Sequence, residues 1–139
     1  MTKLVETAEA IFDPYRLQII KLLQIREMCV CELAAVLNLS SPRISQHLAV
    51  LKRTKIVKER REGKWIYYSL IPKTMDDFNK SWSQFLDSPL DGLPAMKTLF
   101  IRLQKTDLAG VREQCKSTGV TKKVSPINKK KKEGNGNGN

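Results

Sequence analysis

The chain contains one histidine in 139 residues, which sets a hard limit on any His-rich zinc site. It has three cysteines, an odd number, and two of them, Cys29 and Cys31, are one residue apart. That usage does not make a disulfide framework and fits a reduced, cytosolic setting best. No apolar run reaches the ~20 residues of a membrane-spanning helix. The opening segment MTKLVETAEAIFDPYR carries acids and lacks a long apolar core, so no secretory signal is expected there. There is no internal repeat. Acidic residues are also few: 14 Asp and Glu face 25 Lys and Arg, a formal net charge of +11. This balance favours a polyanionic partner, nucleic acid first. From Lys116 onward there are seven lysines and one glutamate, yet the remainder still carries 18 basic against 13 acidic residues. The basic character is therefore not only a property of the tail.

At 41% hydrophobic, the chain can bury one small core and still leave tails. The stretch from Met28 to Lys52, MCVCELAAVLNLSSPRISQHLAVLK, organises the rest. A helix over Glu27 to Leu37 would place Leu33, Val36 and Leu37 on one face. A second helix, Ser41 to Thr54, would bury Ile44, Leu48 and Leu51 at i, i+4 and i+7. Asn38-Leu39-Ser40-Ser41 is the polar break between them. Ser40 or Ser41 suits the N-cap, and Pro42 suits the first turn because its missing N–H would be unpaired there. Two short helices joined so tightly make a helix-turn-helix.

Upstream, Leu4, Ala8 and Ile11 share one side of a short amphipathic segment. Asp13-Pro14 then caps and opens a helix whose stripe is Tyr15, Ile19, Leu22 and Leu23. Downstream, Ile56 to Glu59 and Trp65 to Leu70 alternate as strands about a turn at Glu62-Gly63. Arg60, Arg61 and Lys64 are expected at the tip of this ribbon. The fold class is therefore mainly α with a small β-hairpin, a winged helix-turn-helix. After Pro72, Thr74 and Asp77 resemble a capping box. The stripe Met75, Phe78, Trp82, Phe85 and Leu86 that follows suits a homodimer element, with Phe78, Trp82 and Phe85 as its aromatic contacts. Leu93 to Leu103 and Leu108 to Cys115 suggest two further helices. The expected division is residues 1–87 for DNA binding and dimerisation, 88–115 for a helical extension, and 116–139 for a basic, low-complexity, disordered tail.

On a helix, Ile44, Leu48 and Leu51 face inward, so Pro42, Arg43, Ser45, Gln46 and Ala49 face out. Arg pairs bidentately with guanine, Gln with adenine, and Ser with either. Ser40 and Ser41 suit phosphate contacts or caps. Arg60, Arg61 and Lys64 would meet phosphate or the minor groove. His47 is read as structural or near phosphate rather than as a metal ligand.

Four blocks, DPYRLQIIKLL, EMCVCELA, LNLSSPRISQHLAVLK and KERREGKWIYYSL, run in order from Asp13 to Leu70. In them the chain resembles the ArsR/SmtB winged-helix repressors of bacteria, and EMCVCEL looks like the motif of the arsenic-responsive branch. The resemblance implies a homodimer on operator DNA. It implies release when trivalent arsenic or antimony binds cysteine thiolates, and no permanent cofactor or catalytic residue. The motif often carries a third cysteine three residues after the second, where this chain has Ala34. A three-thiolate site would need Cys115; otherwise Cys29 and Cys31 must suffice. Zinc or cobalt sensing on the helix after the wing would need histidine there, and none exists.

Trivalent arsenic is soft and favours thiolates. On a regular helix, side chains at i and i+2 point apart, so gripping one atom requires non-helical backbone at Cys29 and Cys31. A helix N-terminus there is expected to lower thiol pKa. Three other readings are a thiol-redox sensor of the same fold, a thiol enzyme, and a non-specific basic DNA-packaging protein. The enzyme reading lacks a supporting base.

Overall fold

The first helix, α1 (Thr2–Ile11), ends at a corner built by Asp13. Its carboxylate oxygen Oδ1 accepts from the backbone N–H of Tyr15 at 2.9 Å and of Arg16 at 3.0 Å. Pro14 opens α2 (Pro14–Ile25), where it removes a donor that has no helical partner. Arg16 also reaches back and donates to the carbonyls of Ala10 and Glu9, covering the end of α1.

The backbone hydrogen bond from Arg16, with help from the nearby Arg16 and His47 charges, holds the Asp13 carboxyl below the usual carboxylate range. A depressed folded-state pKa gives stability that is full above the unfolded value of about 3.9 and is lost as pH falls through the folded value. Asp13→Ala is therefore expected to cost about 1 kcal/mol at neutral pH. The difference from wild type should shrink below about pH 4. Asp13→Asn, which keeps an acceptor, should lose less. Urea unfolding of the three proteins across pH checks this.

The computed structural model describes residues 1–117. The segment expected to form a disordered tail lies, beyond Ser117, outside the described residues. Two compact units are present, Met1–Phe100 and the part from Ile101 onward. In the first unit, strand β1 (Met28–Cys29) follows α2, then α3 (Val30–Leu37), α4 (Ser41–Arg53), β2 (Val57–Glu62), β3 (Trp65–Leu70) and α5 (Pro72–Asp87). Two 3-10 turns, Leu90–Gly92 and Pro94–Met96, lead into α6 (Lys97–Lys105), which straddles the division. In the second unit, α7 (Leu108–Ser117) starts on Asp107, whose carboxylate accepts from Gly110 N–H at 3.0 Å.

The helix-turn-helix has the expected anatomy. Asn38 closes α3 in the left-handed region (φ 51°, ψ 47°), a conformation that asparagine tolerates. Ser40 is the N-cap of α4, and Pro42 lies in its first turn. Ile44, Leu48 and Leu51 are all at most 1% exposed. They pack with Ile19, Leu33, Ile56 and Val57 into one core spanning α2, α3, α4 and β2. The ribbon turns through Gly63 and Lys64; Gly63 takes φ +57°, where a Cβ would be strained.

Several local expectations are corrected. Residues expected to start the first reader helix are extended instead: Met28 and Cys29 pair antiparallel with Tyr68 and Tyr67, making a three-stranded sheet of order β1-β3-β2. Two residues of strand are too short to show a period. Val36, placed on the buried face, is 60% exposed, and Ile20, outside the expected stripe, is buried beside it, with Leu22 partly buried against the core. Thr74 and Asp77 do not form a capping box. α5 starts at Pro72, so Thr74 Oγ1 instead donates to the Lys55 carbonyl at 2.6 Å. Asp77 pairs with Lys73 at 2.7 Å.

Candidate functional site

The two neighbouring cysteines occupy different environments at one helix start. Cys29 is the N-cap of α3, with extended backbone at φ −85° and ψ 169°. Cys31, two residues on, lies in the first helical turn. Cys29 therefore stands at the helix boundary with extended backbone, and Cys31 within the helix. Cys29 is buried and Cys31 exposed. Glu32 forms a reciprocal cap with Cys29: the Cys29 N–H donates to Glu32 Oε1 at 3.1 Å, and the Cys29 side chain faces the Glu32 backbone N–H.

Burial pushes the Cys29 thiol up from its ordinary value, and hydrogen bonding to the Glu32 carboxylate adds to this. The expectation that the helix N-terminus lowers this thiol is therefore reversed. Desolvation of the charged form outweighs the backbone N–H groups, which act in the opposite sense. Two thiols at the start of one helix are the donor chemistry that a soft, trivalent centre takes. Among the described residues no three His, Cys, Asp or Glu side chains gather as a metal-holding group. Cys115 is exposed on α7 in the second unit.

The outer face of α4 carries Ser41, Pro42, Arg43, Ser45, Gln46 and Ala49, all exposed, with exposed Ser40 just before it. The opposite face of the same helix is fully buried, so these side chains stand on a rigid base. Arg43 lies over the Tyr15 ring, 5.3 Å from its centroid. His47 turns inward, half-buried, with Nδ1 3.8 Å from Asp13 Oδ1 and its ring against Tyr15. That position agrees with a structural histidine.

On the wing, Arg61 and Lys64 are exposed beside the turn, Lys64 over the Trp65 ring. Arg60 is elsewhere. It sits within β2 opposite Tyr67, with its guanidinium bonded to the carboxylates of Glu27 and Glu62 and lying over the Tyr67 ring. Glu27, Glu32 and Tyr67 were not singled out from the sequence. Glu32 alone had a readable signal, an acid three residues after a cap position.

On α5, Phe78 packs on the core and meets Phe12 edge-on at 6.4 Å. Trp82 is exposed and stacks on half-buried Phe85 at 5.8 Å. With Leu86, Val5 and Phe12, α1 and α5 leave much apolar surface uncovered.

A reader helix on a buried base, followed by a basic ribbon and fed by a two-residue third strand, defines a winged-helix DNA-binding protein. The family model described as "Bacterial regulatory protein, arsR family" matches residues 13–59. An HTH-type transcriptional regulator of Methanocaldococcus jannaschii is 40% identical over 79 residues, which cover 56% of this chain and 89% of that protein. The chain belongs to the bacterial ArsR family, whose members are DNA-binding transcriptional regulators and not enzymes.

The arsenic resistance transcriptional regulator ArsR1 of Pseudomonas putida is 43% identical over 67 residues, 48% of this chain and 46% of that protein. The chain thus spans about half the length of the arsenic-resistance relatives it matches, between 41% and 52%. Among solved structures, a possible transcriptional regulator for arsenical resistance has a TM-score of 0.55 at 28% identity, covering 70% of this chain and 95% of that one. The homodimeric winged helix-turn-helix domain of a possible ArsR-family regulator from Mycobacterium bovis has a TM-score of 0.52 at 26% identity, covering 59% and 77%.

Proposed function

We propose that this chain is a cytoplasmic, arsenite- or antimonite-responsive transcriptional repressor. It binds operator DNA as a homodimer and leaves it when the thiolates of Cys29 and Cys31 take trivalent arsenic or antimony. The observation that carries this reading is the placement of both thiols at the start of α3, inside the unit whose next helix presents the exposed reader face. Names among the relatives support it in part, because other relatives are named for cadmium or as SmtB-type repressors. The single histidine and the Cys-Val-Cys sequence favour a thiophilic metalloid over a harder ion.

Bound trivalent arsenic would supply a soft centre; the rest is done by the chain. To share a ligand with exposed Cys31, Cys29 must leave its buried slot and give up its cap with Glu32. That displaces the start of α3 and, through the tight turn at Asn38, the seating of α4. The DNA side is read as Arg43, Ser45 and Gln46 on base edges, with Pro42 against them, and Ser40, Ser41, Arg61 and Lys64 on phosphate. The uncovered apolar surface of α1 and α5, with Phe78, Trp82 and Phe85, suits the homodimer. Cys115 remains the candidate third thiolate, from either subunit.

Fluorescence anisotropy tests this directly. The duplex comes from upstream of the protein's own reading frame, and arsenite is titrated into the preformed complex under reducing conditions. Binding should weaken steeply with salt, and stoichiometric to few-fold arsenite should release the DNA. Tight binding that peroxide breaks and arsenite does not would move the input to thiol redox. Equal affinity for every sequence would replace the repressor reading with DNA packaging.

A further inference from the structure

Arg60 is a basic wing residue, yet its guanidinium pairs with two carboxylates of this chain, and one of them, Glu27, belongs to the thiol segment. Glu27 Oε1 and Oε2 accept from its guanidinium, and Glu62 Oε2 accepts at 2.8 Å. The sheet register makes this contact specific. Cys29 is opposite Tyr67, and Tyr67 is opposite Arg60. Directly opposed residues of antiparallel strands project to the same face, so Cys29, Tyr67 and Arg60 form one rung across all three strands. The Arg60 guanidinium lies 5.0 Å from the centroid of the Tyr67 ring. Glu27, immediately before β1, closes the rung from the other end.

We infer that Glu27 and Arg60 are positioning residues that tie the wing to the Cys29 segment, so that the wing's pose on DNA depends on where Cys29 is. β1 has two residues, and one of its two rungs is Cys29 itself. When Cys29 leaves its slot, that rung is lost, Glu27 is carried along, and Arg60 is left holding only Glu62. The wing is then freed along with the reader helix. This deepens the sensor reading and rests on it for the identity of the trigger. The tether itself is a property of the protein without metalloid.

The test compares wild type with Glu27→Ala, Arg60→Ala and the double variant, all as the full chain without arsenite. Operator affinity is measured by anisotropy across salt. As the tether is half-exposed, each single variant should weaken binding about two- to fivefold. The slope of log affinity against log salt should not change, and the double variant should be no weaker than the worse single one. A slope shallower by about one in Arg60→Ala, with Glu27→Ala binding as tightly as wild type or tighter, would make Arg60 a phosphate contact and overturn the tether. Additive losses would overturn it as well.

Hydrogen exchange of the free wild-type protein, with and without stoichiometric arsenite, tests the trigger. Amides of β2 and β3 should lose protection on addition. Release from DNA with unchanged exchange in these strands would overturn the wing route. If arsenite neither releases DNA nor alters exchange, the sensor reading fails, and the affinity and salt measurements still decide the tether.

Discussion

With Cys29 and Cys31 both replaced by serine, the complex with operator DNA should persist at arsenite concentrations that dissociate the wild type. The coupling between metalloid and DNA, of the order of 5- to 150-fold in affinity for such linked sites, should fall to one. Serine removes the soft sulfur and keeps a side chain of similar size. Cys31 is exposed, so its replacement disturbs no packing. Cys29 is the N-cap of α3, and serine is among the preferred N-cap residues, so the helix start should survive. Operator affinity without arsenite should therefore stay within about twofold of wild type, because helix-start substitutions that keep a cap acceptor change little. Titrating arsenite into both complexes by anisotropy checks the result, and normal release by the double variant would sink the sensor reading. Cys115→Ser in the same experiment assigns the third position. A weaker but retained response marks Cys115 as a ligand, and an unchanged one as a bystander.

Leu48→Ala should be the most damaging single change to the reader unit. Leu48 is 1% exposed, at the centre of the buried face of α4, between Ile44 and Leu51. Removing a buried leucine loses its transfer free energy and leaves a cavity, together about 2–5 kcal/mol. A domain of this size has roughly 5–15 kcal/mol in all, so the urea midpoint should fall sharply. Gln46→Ala, on the exposed side of the same helix, should change stability by less than about 0.5 kcal/mol. It should instead weaken binding to operator DNA. The pair separates the helix's packing face from its reading face. A stable Leu48→Ala protein would mean that the core does not hold α4 as described.

The reader helix was legible because its signal is local and periodic. Ile44, Leu48 and Leu51 repeat at helical spacing, and Ser40 and Pro42 mark the start, so the exposed face of Arg43, Ser45 and Gln46 follows by subtraction. The corner at Asp13-Pro14 was legible for the same reason: its hydrogen bonds span two and three residues. The segment around Cys29 was not. Its strand is two residues long, and its partner, β3, lies some forty residues later in the chain. No local pattern distinguishes that pairing from the first turn of a helix.

Thr74 and Arg60 show the same limit from the side-chain end. Thr74 has a capping-box spacing to Asp77, but the helix starts at Pro72, and its hydroxyl finds the Lys55 carbonyl instead. For Arg60, no local pattern signals its ion pair with Glu27, which lies 33 positions away in the chain.

By itself, then, the sequence determined the helix-turn-helix, the basic wing and the pair of thiols at the reader's first helix. Each is written in periodicity, capping or composition within a dozen residues. Only the tertiary structure decided that one thiol is buried, where desolvation raises its pKa, while its neighbour is exposed, and that the buried one shares a sheet rung with the wing. Those facts depend on desolvation and on pairing between distant strands, which arise when the chain closes on itself.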